Sequence, residues 1–307
     1  MERMITFYSL LYFSKSEKIP NLSRLLHWNK DSIYVNMASN LSNQLHKLGY
    51  KHILITNKKK ILESYNYKFP VIELNFKKRI KKETRFYSAH FKIDIFKYFS
   101  KQQNKSCLID LDIFIINKFN NYFKNLANNY NLLYSLENGA DYGKKYYSEI
   151  NKIFNIIINK KFKKPKWYGG EFILGNKLFF KKLYKEIDIL YPKYIKNINH
   201  FFHIGDETLL NCAIQKLLLK NNFFFKDIKG KKIIYRHWSI IKNSKFKLEY
   251  ALKNIFLHAP GDKFFISRLN FNYLNFNLIK HKYSNHHNSI IRAVLLFLIN
   301  KMKKLFI

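Results

Sequence analysis

Cysteine, glycine and proline are all scarce in this chain of 307 residues, which contains 2 Cys, 9 Gly and 5 Pro. Two cysteines that share no motif spacing exclude a disulfide scaffold and a cysteine-based zinc site. Cys107 and Cys212 both lie in apolar segments, so we interpret them as reduced core residues of a cytoplasmic protein. So few glycines and prolines also argue against a linker-rich or turn-rich architecture.

Long apolar runs are missing as well, because no segment approaches the roughly 20 apolar residues that a membrane-spanning helix needs. The N-terminal sequence MERMITFYSLLYF is interrupted by Thr6, Tyr8 and Ser9, and no small-residue cleavage site follows it. We therefore predict a buried first β-strand there rather than a signal peptide. Apolar residues still make up 47% of the chain, which argues against disorder and allows a sizeable core.

Acidic residues number 20 against 56 lysines and arginines, so the formal net charge is +36. One interpretation is a surface that attracts nucleic acid or an acidic membrane leaflet. The other is A/T-rich codon usage, since the chain is also rich in Asn, Ile, Phe and Tyr. The lysines are scattered and we find no nucleic-acid-binding motif, so we expect no specific nucleic-acid partner.

Short apolar segments alternate with segments of helical periodicity along most of the chain. Residues 31–50 carry apolar side chains at helical spacing, with Asp31 as a plausible N-cap and Gly49 as a left-handed C-cap. KHILITN and FPVIELNF follow as strands, and TRFYSAHFKIDIFKYFS follows as a helix. This alternation predicts an α/β fold with a parallel-type sheet and helices on both faces. Ligands of such sheets bind outside the carboxyl ends of the strands.

Two carboxylates interrupt the apolar segment SCLIDLDIFIIN, residues 106–117. We predict one strand with Asp110 and Asp112 near its carboxyl end, facing one locus because alternate strand residues share a face. Unpaired carboxylates beside an apolar core are strongly disfavoured unless a cation or hydrogen bonds compensate. Oxygen ligands favour Mg²⁺ or Mn²⁺ over Zn²⁺, and substrate phosphates usually complete the shell of such an ion. The alternative is a pair of solvated residues at the strand end.

The segment CLIDLDIFI resembles the D-x-D strand of nucleotide-sugar-dependent glycosyltransferases of the GT-A fold. Two later segments resemble the family-8 type of these enzymes, which are retaining. GDETLLN is similar to their D-Q-D-x-x-N segment, with Asp206 and Asn211 in place and Glu207 where the family has Gln. HAPGDK is similar to their H-x-x-G-x-x-K segment, with His258 in place and Lys263 one residue early. The three segments occur in the family's order.

This resemblance implies a Rossmann-like, mixed and mostly parallel sheet flanked by helices. Residues 1–265 would form the catalytic domain, with a nucleotide-sugar part at about 1–120 and an acceptor part at about 121–265. Residues 266–307 would be a basic and apolar C-terminal extension with a helical tail. The implied activity is metal-dependent transfer of a sugar from a nucleotide-diphosphate sugar, with a UDP-sugar as the expected donor and Mn²⁺ or Mg²⁺ as the cofactor.

The same resemblance implies roles around the donor diphosphate. The two aspartates and His258 would be the metal ligands, and a neutral imidazole can complete a carboxylate site. Gly261 would let the backbone approach the diphosphate, and Lys263 would neutralise the departing phosphate. Lys92, in FYSAHFKID, stands where such enzymes often have a basic residue that faces the donor. The alternatives are an ordinary strand-end histidine and a solvated helix lysine.

Two further segments are expected to meet the sugars. WYGGEFILGN resembles the part of this fold that lines the donor sugar and acceptor: its glycines would allow close approach, Trp167 and Tyr168 could stack on a sugar, and Glu171 supplies a carboxylate. The alternative is a tight turn with core aromatics. Asp206 and Glu207 stand at a predicted helix start, where acids are favoured in any case. We expect Asp206 to contact the sugar.

The three acids Glu171, Asp206 and Glu207 are the candidate catalytic residues. An inverting transfer requires a carboxylate base within reach of the acceptor hydroxyl, and Glu207 could fill this role. Retention, which the family-8 resemblance implies, needs no such base, but the family's Gln is absent here. The stereochemistry therefore stays open at this point.

The C-terminal sequence NSIIRAVLLFLINKMKKLFI has an apolar core too short to span a membrane, but basic residues flank it. An amphipathic helix in an anionic membrane surface fits this pattern, and a terminal helix docked on the core is the alternative. The membrane interpretation suits a glycan or lipid-linked acceptor in the synthesis of bacterial surface polysaccharide or lipopolysaccharide, at the inner face of the membrane. That last step is an analogy with the family.

Two other classes of function account for less of the sequence. A non-enzymatic basic protein that binds nucleic acid or membrane would leave the paired aspartates unexplained. A nucleotidyltransferase or phosphotransferase could use the same acid pair, but it should have a glycine-rich phosphate loop. The sequence contains no G-x-x-x-x-G-K-[ST] motif.

Overall fold

The structure is a computed structural model, and it describes residues 5–14, 30–82, 84–136, 146–239, 244–269 and 275–303. Within these residues the strands are β1 (Ile5–Leu11), β2 (Lys51–Thr56), β3 (Val71–Glu73), β4 (Lys105–Ile109), β5 (Ile113–Ile115), β6 (Leu132–Ser135), β7 (Tyr168–Gly175), β8 (Lys226–Asp227), β9 (Ile234–Arg236) and β10 (Phe256–His258). The α-helices are α1 (Lys30–Lys47), α2 (Lys59–Glu63), α3 (Lys92–Phe99), α4 (Asn121–Asn129), α5 (Tyr147–Ile158), α6 (Lys177–Asn197), α7 (Asp206–Leu219), α8 (Ser244–Ala251), α9 (Lys263–Arg268) and α10 (Phe276–Lys303).

The central sheet has seven strands in the order β3-β2-β1-β4-β7-β6-β8. The pairings β3-β2, β2-β1, β1-β4 and β6-β8 are parallel, whereas β7 is antiparallel to both of its neighbours. Every residue of β4 and β7 is buried, as expected for strands that helices cover on both faces. The predicted mixed, mostly parallel sheet flanked by helices is therefore confirmed.

The prediction of one continuous strand over residues 106–117 is wrong. The chain leaves the central sheet after Ile109, turns, and enters a second sheet of order β5-β10-β9. The amide of Asp110 still donates to Glu171 O at 3.0 Å, and the amide of Ile113 closes the turn on Asp110 O at 3.1 Å. Residues 110–112, which we call the acid turn, thus form the corner between the two sheets.

The helix predicted over residues 31–50 is confirmed as α1, with differences at its start. Because α1 begins at Lys30, Asp31 lies in the first turn and not at the N-cap, where its charge still favours the positive end of the helix dipole. Gly49 has φ +81°, the left-handed conformation expected of a helix C-terminus. The helix predicted around TRFYSAHFKIDIFKYFS is shorter than expected, since a 3₁₀ segment (Tyr87–Phe91) precedes α3.

The buried apolar side chains form two clusters. The larger one fills the space between the central sheet and the helices that cover it, and Phe96, Phe99 and Phe180 are among its members. The smaller cluster includes Phe114 of β5 and Tyr283 of α10, together with side chains of α1 and α9. Packing of this second cluster fixes the small sheet and the last helix beside the acid turn.

The C-terminal helix packs on the rest of the protein through its first part. Ile279, Tyr283 and His287 of α10 are buried, so this first part of the helix, which precedes the apolar tail sequence, docks on the core. No helix in the described ranges is long and apolar enough to cross a membrane. From residue 290 onward the structure describes at most the backbone. Both interpretations of the C-terminal tail sequence, membrane association and docking on the core, therefore stay predictions.

Candidate functional site

A cavity of about 570 Å³ opens at the carboxyl ends of β1 and β4, where parallel sheets are expected to bind ligands. Its size falls in the range of pockets that take small molecules and cofactors. Apolar side chains, including Leu10 and Leu11, line one part of it. The charged and imidazole side chains that line it are Lys30, Asp31, Arg85, Lys92, Asp110, Asp112, His203, Asp206, Glu207, Arg236, His258 and Lys263.

The acid turn and the end of β10 bring three candidate ligands together. Ligand atoms of Asp110, Asp112 and His258 all lie within 4.8 Å of one another. The register of the small sheet explains this convergence, since His258 pairs with Ile113 across the antiparallel β5-β10 pair. The amide of Ala259 also donates to Asp112 O at 3.0 Å. The convergence that the sequence predicted is therefore present, although a turn and not a strand face creates it.

Two lysines are the counter-charges of the aspartates of the acid turn. Lys92 Nζ lies 2.7 Å from Asp110 Oδ1 and 3.1 Å from Asp206 Oδ2, and it donates to Gly170 O at 3.1 Å. Lys263 Nζ forms a close ion pair with Asp112 Oδ2 and lies 3.2 Å from Pro260 O. Both lysines line the cavity, and their contact with a donor diphosphate stays a prediction.

The pKa values of Asp110 and Asp112 are shifted in opposite directions, although the two residues lie in the same turn. Burial raises the pKa of Asp110 to about 6 against the opposing charge of Lys92, and the negative charge of Asp112 adds to the increase. Burial also disfavours the ionised form of Asp112, but Lys263 and His258 outweigh it and hold the pKa of Asp112 well below its usual value. Burial disfavours charge on Lys92 as well, yet Asp110 and Asp206 raise its pKa.

His258 is the third member of the candidate metal site. Burial lowers the pKa of its imidazole, but the carboxylates of Asp112 (3.1 Å from Nε2) and Glu171 (3.4 Å from Nδ1) together raise it to about 9. Two carboxylates with one imidazole, the second ring nitrogen facing another carboxylate, are a donor set that fits Mn²⁺ or Mg²⁺. Asp110, Asp112 and His258 would hold the ion, which would replace the protein's own cations as their counter-charge.

A second group of buried carboxylates lies beside the acid turn and is paired with arginine. Arg236 Nε and Nη2 donate to the two oxygens of Glu171 at 2.9 and 2.7 Å, and Nη2 also donates to Glu207 Oε1 at 2.5 Å. We call these three residues the arginine layer. Burial alone would raise the pKa values of both glutamates, but the charge of Arg236 holds these pKa values below their usual range. Both glutamates of the arginine layer are therefore stabilised in their ionised form.

Glu171 lies beneath the cavity and not on its surface. Its side chain is 1% exposed, and it is not among the described residues that line the cavity. Its oxygens face Arg236 and the Nδ1 atom of His258. The structure thus places this predicted catalytic residue behind Arg236 and His258, where it can orient both side chains.

Asp206 and Glu207 both line the cavity at the start of α7. Glu207 accepts hydrogen bonds from Trp167 Nε1 at 2.9 Å and from the amide of Gly170 at 3.2 Å, besides its ion pair with Arg236. Asn211, one turn later, exchanges hydrogen bonds with the backbone of Tyr168 at 2.6 and 2.8 Å. These hydrogen bonds hold the start of α7 against the start of β7.

The expected role of the segment WYGGEFILGN as a sugar-stacking surface is not supported. Trp167 and Tyr168 are both 3% exposed, because Trp167 packs on Phe154 and Tyr168 packs edge-on against Phe225. These aromatics belong to the core, which was the alternative interpretation. The segment is also a strand (β7) and not a tight turn.

Two of the three glycines of this segment, Gly169 and Gly170, leave room that carboxylate side chains occupy. A Cβ atom at Gly170 would lie 2.5 Å from Asp206 Oδ2, and one at Gly169 would clash with the side chain of Glu171. Gly261, in the segment HAPGDK, has its nearest neighbour at an ordinary distance, since Ser239 Oγ would lie 3.7 Å from a Cβ built at this position. Pro260 and Lys263 line the cavity, whereas Gly261 is not among its described lining residues.

Several residues of the cavity wall had no role predicted from the sequence, and Arg236, His203 and Phe86 are among them. Arg236 is the last residue of the apolar strand β9. Its position at the end of the apolar segment in KKIIYRHW is the only sequence feature that distinguishes it from the other basic residues, of which the chain has 56 in total. His203 and Phe86 stack with ring centroids 5.8 Å apart at 14°, and Phe86 has φ +54°, a conformation that bulky residues rarely adopt. We find no sequence pattern that predicts this stacked pair.

Comparisons with known proteins give a likeness of shape only. No protein-family model and no curated protein sequence matches the chain. Among solved structures, the galactosyltransferase LgtC, in a complex with donor and acceptor sugar analogues, superimposes with a TM-score of 0.49 and 8% sequence identity. The match covers 90% of this chain and 100% of that one. At this identity and TM-score, the likeness carries no information about the reaction.

Proposed function

We propose that the protein is a metal-dependent glycosyltransferase that moves a sugar from a nucleotide-diphosphate sugar to a hydroxyl of a glycan or lipid-linked acceptor. The observation that carries this proposal is the convergence of Asp110, Asp112 and His258 in one cavity with Lys92 and Lys263. Carboxylate and imidazole ligands suit Mn²⁺ or Mg²⁺, and the two lysines suit a diphosphate next to the ion.

The order of the motifs supports the same proposal. Three segments that are distant in the chain, CLIDLDIFI, GDETLLN and HAPGDK, were each interpreted from the sequence as resembling motifs of one type of glycosyltransferase. Side chains from all three line the same cavity, through Asp110, Asp206 and His258 among others. Chance matches to short motifs have no reason to meet in space, so their meeting favours a common function.

On the donor side, charge stabilisation is the task we assign to the protein. A divalent ion bound by Asp110, Asp112 and His258 would stabilise the negative charge of the leaving nucleoside diphosphate. Lys263, at the start of α9, would take a phosphate oxygen when it exchanges its contact with Asp112. Lys92 would stay with Asp110 and Asp206 and hold both carboxylates in place. Gly261 would act only as part of the turn between His258 and Lys263.

On the acceptor side, Asp206 is the better candidate for contact with sugar hydroxyls. Glu207 is engaged by Arg236, by the Trp167 indole and by the Gly170 amide, and its pKa is lowered because Arg236 outweighs burial. A carboxylate so stabilised in its ionised form is a weak proton acceptor. This favours a retaining transfer, in which no carboxylate base is needed, over an inverting one.

The donor base, the donor sugar and the acceptor follow from analogy and not from geometry. We propose a UDP-sugar as donor and a surface-glycan precursor as acceptor, with peripheral contact at the inner face of the membrane. The chain's formal charge of +36 is compatible with an anionic membrane surface. A non-enzymatic basic protein remains the competing class, and it predicts no effect of metal on nucleotide binding.

Thermal unfolding with and without ligands tests this proposal. We expect UDP, GDP or CMP to raise the melting temperature only when Mn²⁺ is present, with one nucleotide well above the others. A screen of nucleotide-sugar hydrolysis should then identify the donor, and NMR of the product anomer should show retention. A metal-independent shift with every nucleotide would point to non-specific binding by a basic surface and would overturn the proposal.

A further inference from the structure

Three side chains from outside the acid turn converge on Asp262, a buried carboxylate that is 4% exposed and directly precedes Lys263. Ser239 Oγ donates to Asp262 Oδ1 at 2.7 Å. Tyr283 OH donates to Asp262 Oδ2 at 2.7 Å, and His286 Nε2 lies 3.2 Å from Oδ1. Two of these three partners belong to α10, the C-terminal helix.

Asp262 closes the turn that presents His258 and Lys263 to Asp112, at the position directly before α9. Its amide donates to Ala259 O at 3.0 Å, and its carbonyl accepts from the amide of Ile266 in α9 at 2.9 Å. A displacement of Asp262 would therefore move both ends of the turn.

The helix that supplies two of these partners also packs on the strand that follows the acid turn. The Tyr283 ring lies 5.2 Å from that of Phe114 in β5, two residues after Asp112, and 5.5 Å from that of Phe265 in α9. His286 stacks on Phe265 at 4.3 Å. Helix α10 thus contacts both segments that meet at the candidate metal site.

Docking of α10 alone does not explain a buried carboxylate at position 262. Among the described residues, Asp262 has one ion pair, with His286, and its two other side-chain partners are the hydroxyls of Ser239 and Tyr283. A buried carboxylate contributes less to stability than apolar packing of the same volume usually would. A fixed orientation of the turn is what three converging donors provide and apolar contacts do not.

We propose that Asp262, with its α10 partners Tyr283 and His286, is a positioning group that holds His258 and Lys263 against Asp112, so that the C-terminal helix is part of the functional site. This inference rests on the proposed function, because it assumes that the acid turn binds a metal ion with a nucleotide. It assigns to α10 a task that is independent of any membrane contact.

Binding of Mn²⁺ in the presence of UDP, followed by the electron paramagnetic resonance signal of the free ion, tests this inference in the full-length chain. Tyr283→Phe removes one hydroxyl but keeps the ring packing, and Asp262→Asn removes the charge. We expect the dissociation constant of Mn²⁺ to rise about threefold to tenfold in Tyr283→Phe and about tenfold or more in Asp262→Asn. The matched control is Asn288→Ala, an exposed position of the same helix, which should leave it unchanged.

Thermal unfolding of each variant separates positioning from plain docking. A folded Tyr283→Phe protein with weaker Mn²⁺ binding supports the inference, whereas a lower melting temperature with wild-type affinity would show a merely structural contact and overturn it. Should Asp262→Asn fail to fold, Tyr283→Phe alone decides between these outcomes. If the wild-type protein itself binds no Mn²⁺ with UDP, the proposed function falls and this inference falls with it.

Discussion

The acid turn and the arginine layer are neighbouring groups of carboxylates whose counter-charges differ; all are buried except the partly exposed Asp110. Asp110 and Asp112 of the acid turn are paired with lysines that line the cavity, and the pKa of Asp110 is raised to about 6 by burial. Glu171 of the arginine layer is held by a bidentate arginine. Lysine is a flexible point charge that can move away, whereas an arginine fork fixes its partner. We infer that the carboxylates of the acid turn are available to a ligand, whereas those of the arginine layer stabilise the fold.

Removal of the arginine should give the largest effect on folding. In Arg236→Met, Glu171 and Glu207 would be left buried without a counter-charge, so we expect the free energy of unfolding to fall by about 3–5 kcal/mol. Urea denaturation measures this loss, and the control is Lys231→Met, a substitution at an exposed position. A loss below about 1 kcal/mol would show that the layer does not serve the scaffold and would break the comparison.

Removal of a carboxylate from the acid turn should instead weaken metal binding strongly and change the stability of the fold only a little. We expect Asp112→Asn to weaken Mn²⁺ binding in the presence of UDP by at least about 100-fold, while the free energy of unfolding changes by only about 1–2 kcal/mol. Asp188→Asn, which removes an exposed carboxylate paired with Lys78, is the matched control for both measurements. Equal Mn²⁺ affinity in the wild type and Asp112→Asn would remove the acid turn as a metal site.

The pH dependence of the free energy of unfolding tests the role of the arginine layer separately from that of the acid turn. The pKa of Glu207 in the folded protein lies below its usual value of 4.5 because Arg236 outweighs burial. Its charge therefore stabilises the fold fully above the unfolded-state pKa, and this contribution is lost as the pH falls through the folded-state pKa. We expect Glu207→Gln to lose less stability than the wild type between pH 5 and pH 3. Parallel curves for the two proteins, with exposed Glu63→Gln as the control, would contradict this.

Exchange of one cation for another should give the smallest effect. Lys263→Arg keeps the charge beside Asp112 but adds a bidentate donor that holds the carboxylate more firmly. We expect about tenfold weaker Mn²⁺ binding and a change of less than about 1 kcal/mol in the free energy of unfolding. Isothermal titration calorimetry compares this variant with Lys181→Arg, an exposed substitution. Unchanged affinity would show that Lys263 does not compete with the metal.

The parts of the site that sequence reasoning found are those with a chemical anomaly in their own segment. Asp110 and Asp112 stand out because carboxylates are unfavourable in an apolar run, and the carboxyl ends of parallel strands are a known location for ligands. The break between β4 and β5 was not predictable, because a continuous apolar run describes one buried strand as well as two short strands in different sheets.

The parts that were missed depend on contacts between distant segments. Arg236 is one of 56 basic residues, and only the fold brings it between Glu171 and Glu207. The glycines 169 and 170 were assigned to ligand approach because the sequence does not reveal that two carboxylates fill the adjacent space. The three side-chain partners of Asp262 are likewise 21, 23 and 24 positions away from it in the sequence, too far for a local sequence pattern to connect them.

Anomalous diffraction from a crystal grown with Mn²⁺ and UDP tests the central claim most directly. The account predicts one anomalous peak between Asp110, Asp112 and His258, with the diphosphate on the ion and Lys263 turned from Asp112 toward a phosphate oxygen. A bound nucleotide without a peak at these three side chains, or a peak elsewhere in the molecule alone, would contradict it.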